Sequence, residues 1–282
     1  MLQMVRLATM VVAAALCLGC DRVDFKGLIA PTGDVVNRRF DISLSLTEDK
    51  SVASIATNER YTLYVCADPH ISTSADNLQQ FVTRLDADND ASFGIVLGDC
   101  TDQRGAMSEY ANALRGYKPI FSLLGNHDLY FSGWDDYREL IGPSVYWFEV
   151  AYNTGRDLFI AIDSASGTLG SKQIEWLRKL LTTSRRAYRH CIILTHTNLF
   201  YTDNSQTGAG SLPMEETMTL VEMFSHNNVT LCLQGHDHYR EDLNVGSVRY
   251  TIVGTIRDEA KEPEYLLITL SDSGIEYEWQ YL

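Results

Sequence analysis

The sequence predicts an α/β domain of layered sheets and helices, and two patterns carry that prediction. From Tyr61 onward, short apolar runs alternate with longer amphipathic segments, as in a fold that interleaves strands with helices. After residue 238 the helical pattern stops, and short strand-like segments joined by turns follow. The chain has 282 residues, 45% of them apolar, which suffices for one sizeable core.

The first twenty residues have the composition of an export signal. Arg6 is the only charged residue before Asp21, and residues 7–18 form an apolar run too short to span a bilayer. The run leads into a Gly-Cys pair at Cys20 that resembles the lipoprotein box of bacteria, although Cys17 stands where Leu is usual. We therefore expect an exported protein, periplasmic or on the cell surface, anchored to the membrane by a lipid on Cys20. An ordinary cleaved signal and an uncleaved anchor are the alternatives.

The segment between the signal and the main domain is a polar lead-in, residues 21–60, whose structure the sequence leaves open. Phe40, Ile42 and Leu44 alternate as in a half-buried strand. Val36, Phe40 and Leu44 also fit one face of a helix. The predicted organisation is a signal peptide at 1–20, the lead-in at 21–60 and a single main domain at 61–282.

The main domain is predicted to alternate strands with helices. Short apolar runs indicate buried strands at 61–66, 93–97, 119–124, 157–163, 190–195 and 229–234. Amphipathic stretches indicate helices at 75–86, 104–115, 170–183 and 213–226. Beyond residue 238 the sequence predicts consecutive antiparallel strands near 248–253, 264–270 and 275–281.

Charge and cysteine usage narrow the classes of partner and compartment. The net charge of −14 argues against a nucleic-acid surface, which is normally basic, but not against a small phosphorylated substrate. Of the six cysteines, two fall in the signal region, and the rest lie in apolar runs or beside a candidate ligand. We expect the four cysteines of the mature chain to be free: Cys66, Cys100, Cys191 and Cys232.

Five polar clusters follow the ends of predicted strands. They are Asp68-Pro69-His70, Gly98-Asp99-Cys100-Thr101-Asp102, Gly125-Asn126-His127-Asp128, His196, and Gly235-His236-Asp237-His238. A single cluster of this kind is often a turn, a helix cap or a satisfied polar residue. As a series they indicate a metal site, because side chains at the carboxyl ends of strands converge on one edge of a sheet. Mixed imidazole and carboxylate ligands suit manganese, iron or zinc.

The series D-x-H, G-D-x-x-D, G-N-H-D, H and G-H-x-H is similar to the motifs of the calcineurin-like metallophosphoesterase superfamily. The resemblance extends from Asp68 to His238. It implies a four-layer αββα sandwich, in which two mixed β-sheets pack between outer helices. It also implies two divalent metal ions, with Asp99 bridging both. The resemblance divides the other ligands into a first set of Asp68, His70 and His238 and a second set of Asn126, His196 and His236.

The resemblance also implies a reaction. Two ions about 3.5–4 Å apart can acidify a shared water, so we expect phosphoester hydrolysis by a metal-bridging hydroxide, favoured on small phosphomonoesters. His127 would face the leaving group as a general acid or hydrogen-bond donor, and Asp102 would orient its imidazole. Asp102 could instead cap the helix at 104–115. The alternatives to this function are a phosphodiesterase or nuclease on the same fold, and a non-catalytic metal-binding surface lipoprotein.

Two positions depart from particular branches of the superfamily. Asp102 stands where purple acid phosphatases carry a tyrosine, so a tyrosinate-to-iron chromophore is not expected. Gln103 stands where protein serine/threonine phosphatases carry an arginine, with Arg104 one residue later. A phosphoprotein substrate is therefore less expected than a small phosphoester.

Overall fold

The computed structural model describes residues 32–72, 74–200 and 212–282. The strands, in chain order, are β1 (Ser54–Ala56), β2 (Tyr61–Cys66), β3 (Ala91–Val96), β4 (Ile120–Ser122), β5 (Tyr146–Tyr152), β6 (Gly155–Ala161), β7 (Cys191–Leu194), β8 (Leu231–Gln234), β9 (Glu241–Val245), β10 (Val248–Ile252), β11 (Glu264–Ser271) and β12 (Gly274–Tyr281). The helices are α1 (Thr32–Thr47), α2 (Asp76–Ala87), α3 (Met107–Ala113), α4 (Trp134–Leu140), α5 (Gly170–Ser184) and α6 (Met214–His226), with short 3₁₀ turns at His127–Ser132 and Arg185–Ala187.

The strands form two mixed sheets. One has seven strands in the order β1-β5-β6-β7-β8-β10-β9, and the other has five in the order β12-β11-β2-β3-β4. Strands β6, β7, β8 and β10 run parallel in the first sheet, as do β2, β3 and β4 in the second. The carboxyl ends of the two parallel groups meet, because the His196 ring beyond β7 contacts the Leu97 carbonyl beyond β3. This shared edge is where loops from both sheets converge.

Three apolar clusters hold the layers together. One lies between the two sheets, where the rings of Phe148 and Phe159 stack with centroids 4.8 Å apart and Phe93 packs edge-on against both. The second packs α1, α5 and α6 against the outer face of the seven-stranded sheet. The third packs α2, α3 and α4 against the five-stranded sheet. The expected four-layer αββα sandwich is therefore confirmed.

The part of the lead-in that the structure describes packs onto the main domain. Residues 32–47 form α1, so the helical interpretation of this segment is the one found. Val36 and Phe40 are buried, and the Phe40 ring meets that of Trp176 in α5 edge-on, with centroids 6.0 Å apart. Strand β1 pairs in parallel with β5 at the edge of the seven-stranded sheet. The predicted signal peptide and the lipid site at Cys20 lie outside the described residues.

The prediction of three consecutive antiparallel strands at the C-terminus is wrong for the first of them. Strand β10 belongs to the seven-stranded sheet, where it runs parallel to β8 and antiparallel to β9. Only β11 and β12 form an antiparallel pair with each other. An apolar run identifies a buried strand but carries no information on its partner, which depends on side chains from a distant part of the chain. Strands β1, β5 and β9 and helix α4 were not predicted.

Among the described residues, no helix combines the length and the apolar character needed to cross a bilayer. The four cysteines expected to be free are buried and form no disulfide with one another. Burial raises the pKa of the Cys191 thiol to about 12 and raises that of Cys66 well above its usual range. These thiols therefore act as small apolar groups in the core.

We predict that the four thiols of a chain lacking residues 1–20 are unreactive while it is folded. Burial excludes the reagent, and the raised pKa values leave almost no thiolate to react. Titration with a thiol-specific chromogenic reagent should give no rapid labelling of the native protein and four thiols per chain after denaturation without reductant. Fewer than four after denaturation would reveal a disulfide, and rapid native labelling would contradict the burial.

Candidate metal centre

Five loops at the shared carboxyl edge carry the predicted ligands, and their backbone is unusual. The φ angle is positive at five of the predicted ligands: Asp68 (53°), His70 (48°), Asp99 (50°), His236 (75°) and His238 (59°). Asp and His tolerate this left-handed conformation better than most residues, but each instance costs about 1–3 kcal/mol. Such strain persists only where the surrounding structure enforces it, and it concentrates at functional sites.

The Asp99 carboxylate lies at the centre of the cluster and is 1% exposed. Its Oδ1 is 3.3 Å from Nε2 of His196, and its Oδ2 is 3.7 Å from Nε2 of His70. The two oxygens therefore face histidines from the two different predicted sets. The backbone N–H of His127 donates to Oδ1 at 2.9 Å and fixes the orientation of the carboxylate.

The first predicted set comes together around one side of Asp99. Nε2 of His238 lies 2.9 Å from Nε2 of His70 and 3.7 Å from Oδ1 of Asp68. One ligand atom from each of Asp68, His70, His238 and Asp99 lies within 4.8 Å of the others, a spacing that a single ion could occupy. The backbone N–H of His236 donates to the Asp68 carboxylate and ties this set to the second.

The second predicted set lies on the other side of Asp99. Nε2 of His196 is 3.0 Å from Oδ1 of Asn126 and 3.2 Å from Nδ1 of His236. One ligand atom from each of Asp99, His196 and His236 again lies within 4.8 Å of the others. All seven predicted metal ligands are therefore brought together by the fold.

The hydrogen bonds around the cluster show that its donor atoms suit a cation. The Nδ1 atoms of His70 and His196 face acceptors, Asp102 at 2.7 Å and the Leu97 carbonyl at 2.8 Å, so these nitrogens carry the ring protons. The Nε2 lone pairs of both rings consequently point into the cluster, toward carboxylate and amide oxygens. A buried group of such acceptors requires protons or a metal cation between its members. The group therefore fits a metal cation.

The electrostatics of the cluster point the same way. Burial and the neighbouring Asp99 raise the pKa of Asp68 to about 7, although His196 and His70 oppose the shift. Burial alone would lower the pKa of His196, but Asp99 and Asp68 raise it to about 10. Two buried carboxylates therefore draw positive charge onto their neighbours. A divalent cation would satisfy the same demand.

Asp102 contacts two histidines, of which only one was expected. Its Oδ1 accepts from Nδ1 of His127 at 2.6 Å and from Nδ1 of His70 at 2.7 Å. Burial would raise the pKa of Asp102, but the hydrogen bonds from His127 and His70 hold it well below its usual range. The helix-cap interpretation fails, because α3 begins at Met107 and no side chain caps it. Asp102 thus joins a predicted ligand to the predicted acid.

Asp128 has a structural part in the site that the sequence interpretation missed. Its buried carboxylate accepts the backbone N–H groups of Gly125, Cys100 and Thr101, and so fastens the loop after β4 to the loop after β3. Burial and the nearby Asp99 raise its pKa to about 6. The sequence did contain a signal for this role. Asp128 ends the G-N-H-D cluster, and a buried carboxylate beside ligand-bearing loops requires hydrogen-bond donors.

His127 stands at the mouth of the cluster, with a third of its side chain exposed. Its ring lies 4.9 Å from that of Tyr130, centroid to centroid. Tyr130 and Phe131 line a small pocket beside it, together with Gln103 and Arg104. The pocket therefore adjoins the mouth of the cluster.

A sequence model described as calcineurin-like phosphoesterase matches residues 61–240, more than half of the chain. The chain belongs to this family. The match spans every predicted ligand from Asp68 to His238 and leaves α1 and β1 outside it. Metal-dependent phosphoester hydrolysis is the chemistry associated with the family.

Solved structures share the fold at low sequence identity. A purple acid phosphatase from yellow lupin has a TM-score of 0.62 at 15% identity, covering 80% of this chain and 52% of that one. The GAP50 anchor of the Plasmodium inner membrane complex has a TM-score of 0.58 at 12% identity, covering 79% and 84%. A putative 5′-nucleotidase from Staphylococcus aureus has a TM-score of 0.54 at 16% identity, covering 79% and 54%. This chain thus spans about half of the phosphatase and nucleotidase chains. No curated protein sequence matches it.

We predict that Gly125→Ala disrupts the centre. A Cβ at Gly125 would lie 2.1 Å from both Oδ1 and the backbone nitrogen of Asp99, so the carboxylate must move. Metal content and phosphoesterase activity should both fall at least about tenfold, which is the scale of effect seen when the groups behind metal ligands are disturbed. Gly155→Ala is the control, since its Cβ meets only the flexible end of Tyr152, at 3.0 Å. Unchanged metal content in Gly125→Ala would show that the position of Asp99 does not matter.

Proposed function

We propose that the chain is a binuclear metallophosphoesterase that acts on small phosphomonoesters. Family membership supplies the coarser statement, metal-dependent hydrolysis of a phosphoester. The observation that carries the finer one is the position of Asp99, whose two oxygens face two separate groups of histidines. A shared carboxylate of this kind is what two ions held side by side require.

The seven ligands would divide between two ions around Asp99. One ion would be held by Asp68, His70 and His238, and the other by Asn126, His196 and His236, with Asp99 common to both. When bound, such a pair supplies Lewis-acid chemistry that activates the attacking water and offsets charge on the phosphoryl oxygens. The chain's own part is to hold these ligands rigidly, which the Leu97 carbonyl and the Asp102 carboxylate do for two of the histidines.

In this proposal His127 donates a proton to the departing oxygen. Because its Nδ1 donates to Asp102, the proton available for transfer is the one on Nε2, and this atom lies 3.9 Å from Oδ2 of Asp99. A leaving group bound beside Asp99 would come within its reach. The Asp102 carboxylate offsets the charge of the protonated ring and keeps it from rotating.

We predict that His127→Ala keeps both ions but lowers turnover by about 10²–10⁴, the usual range for a lost general acid. His127 belongs to neither ligand set, so metal content should stay at the wild-type value. His226→Ala, which removes an exposed histidine from the end of α6, is the control and should leave turnover unchanged. Metal analysis alongside steady-state kinetics decides the matter, and near-wild-type turnover in His127→Ala would remove the assigned role.

We predict that Asp99→Ala releases at least one of the two ions, because the carboxylate serves both. Turnover should fall below detection, since neither ion alone completes the site. Asp90→Ala is the control: it removes an exposed carboxylate at the opposite end of β3. Elemental analysis of both variants after dialysis provides the measurement. Full metal content in Asp99→Ala would rule out the bridge.

The preference for monoesters is tested against the alternative of a phosphodiesterase or nuclease. The net charge of −14 disfavours a polymeric nucleic acid, and this is what supports a small substrate. Aryl monoesters and diesters should be compared on the chain lacking residues 1–20, with manganese, zinc and iron supplied separately. We expect a higher kcat/KM on monoesters; a diester preference would select the alternative. A metal-loaded protein inactive on the whole panel would select the non-catalytic surface lipoprotein.

The proposed subcellular localisation rests on the first twenty residues alone. We propose that the chain is exported to the periplasm or the cell surface and held at a membrane by a lipid on Cys20. Metabolic labelling with a radioactive fatty acid tests it in a bacterial host. Loss of label and release of the protein in Cys20→Ser are the expected results, and labelling that persists in that variant would contradict the anchor.

A further inference from the structure

A buried ion pair joins α1 to the loop that follows β6. Arg39 donates through Nε to Oδ2 of Asp163 at 2.8 Å and through Nη2 to Oδ1 at 3.0 Å. The two side chains are 4% and 1% exposed. Arg39 lies outside the residues that the family model matches, whereas Asp163 lies within them. An ion pair removed from water adds little net stability to the fold, so stability alone does not account for this one.

Asp163 holds the loop after β6 in one position. Beyond Arg39, its carboxylate accepts from the Ser144 hydroxyl at 2.9 Å and from the backbone N–H of Ala165 at 3.2 Å. Its backbone exchanges two hydrogen bonds with the side-chain amide of Gln173 in α5. The loop is therefore fixed from the lead-in helix, from the loop before β5 and from α5 at once.

The next residue transmits this position to the metal centre. The Ser164 hydroxyl accepts from the Thr195 hydroxyl and from the Thr197 backbone N–H, both at 2.9 Å. The Ser164 carbonyl accepts from the Thr197 hydroxyl at 3.0 Å. Thr195 and Thr197 are the two chain neighbours of His196, and all of these residues are buried. Ser164 thus holds both chain neighbours of a predicted ligand, Thr195 through its hydroxyl and Thr197 through its backbone N–H and hydroxyl.

His196 is the residue whose placement these contacts control. Its Nε2 must meet Oδ1 of Asn126 and Oδ1 of Asp99, at 3.0 and 3.3 Å, while Nδ1 stays bound to the Leu97 carbonyl. A small displacement of the backbone at His196 would misdirect the Nε2 lone pair. Loss of a group that hydrogen-bonds to a metal ligand typically lowers the metal affinity by about 10–100-fold.

We propose that Arg39, Asp163 and Ser164 form a positioning network that sets the orientation of His196 and thereby the affinity of the ion held by the second set. The network acts through His196 and touches neither substrate nor ion. The proposal rests on the metal centre assigned above, because it gives His196 a ligand's role. It also gives α1 a function, because Arg39 lies on this helix and the network orients a ligand of the second set.

The molecule contains a matched control at the other end of the same strand. Asp157, at the start of β6, is buried and pairs with Arg189 at 2.6 Å. It also accepts from the Tyr61 hydroxyl at 3.0 Å and from the His190 backbone N–H at 2.9 Å. Breaking this pair removes a comparable buried interaction far from the metal centre. A loss of metal affinity caused by general destabilisation should therefore appear whichever of the two ion pairs is broken.

The experiment measures the affinity for zinc alone, by competition with a chromophoric chelator, on the detergent-solubilised full-length chain. Arg39→Met and Ser164→Ala should each weaken one of the two zinc sites by about 10–100-fold and leave the other unchanged. Arg39→Lys, which keeps the charge but loses the paired hydrogen bonds, should lie between them and the wild type. Arg189→Met should lower the Tm at least as much as Ser164→Ala does but leave both affinities unchanged.

The outcomes separate this proposal from the assignment of the centre. His196→Ala serves as reference and should lose one zinc site altogether; if it keeps both, the assigned centre is wrong. If His196→Ala loses a site while Ser164→Ala binds both ions with wild-type affinity, the network does not position His196. An equal loss of affinity in Arg189→Met would also overturn the proposal, since it would mark a general loss of stability. Should Arg39→Met fail to fold, Ser164→Ala decides alone.

Discussion

The site depends on the burial of the Asp99 carboxylate among ligands from five loops. A charged group that is 1% exposed must be compensated by its neighbours, and here the imidazoles of His70, His127 and His196 and the backbone N–H of His127 face it. The loops adopt left-handed backbone at five ligand positions to make this possible. The two sheets offset this backbone strain. Their parallel strands bring the five loops to a single edge, and the closely packed core between the sheets holds them there.

The sequence predicts those features whose signals are local. Buried runs such as that of β7 and the ligand clusters at their ends are readable because apolar content and residue type lie within a few positions. The sheet that β10 joins could not be predicted, because it depends on pairing with β8 and β9. The lead-in showed two compatible periodicities, and the burial of Val36 together with Phe40, four residues apart in α1, agrees with the helical one.

The same limit applies within the site. The metal ligands can be recognised from their residue types and their order along the chain, whereas the residues that hydrogen-bond to them cannot. Asp102 serves His70 as well as His127, which no spacing reveals, because the three residues come from three different loops. This sharing links the orientation of a ligand to that of the acid, so the two functions are not independent in this chain. Asp128 escaped notice because its partners are backbone groups.

Strand β1 has a consequence for any attempt to express the catalytic domain by itself. It pairs with the outer edge of β5, and Val52 and Thr57 extend the contact by donating to Trp147 and Ala151. A recombinant fragment cut at residue 61, where the family match begins, would lose this cover and α1 together. The backbone of β5 would then offer unpaired N–H and C=O groups to a second copy, which is a route to edge-to-edge aggregation. The short strand ahead of the catalytic domain thus also safeguards its solubility.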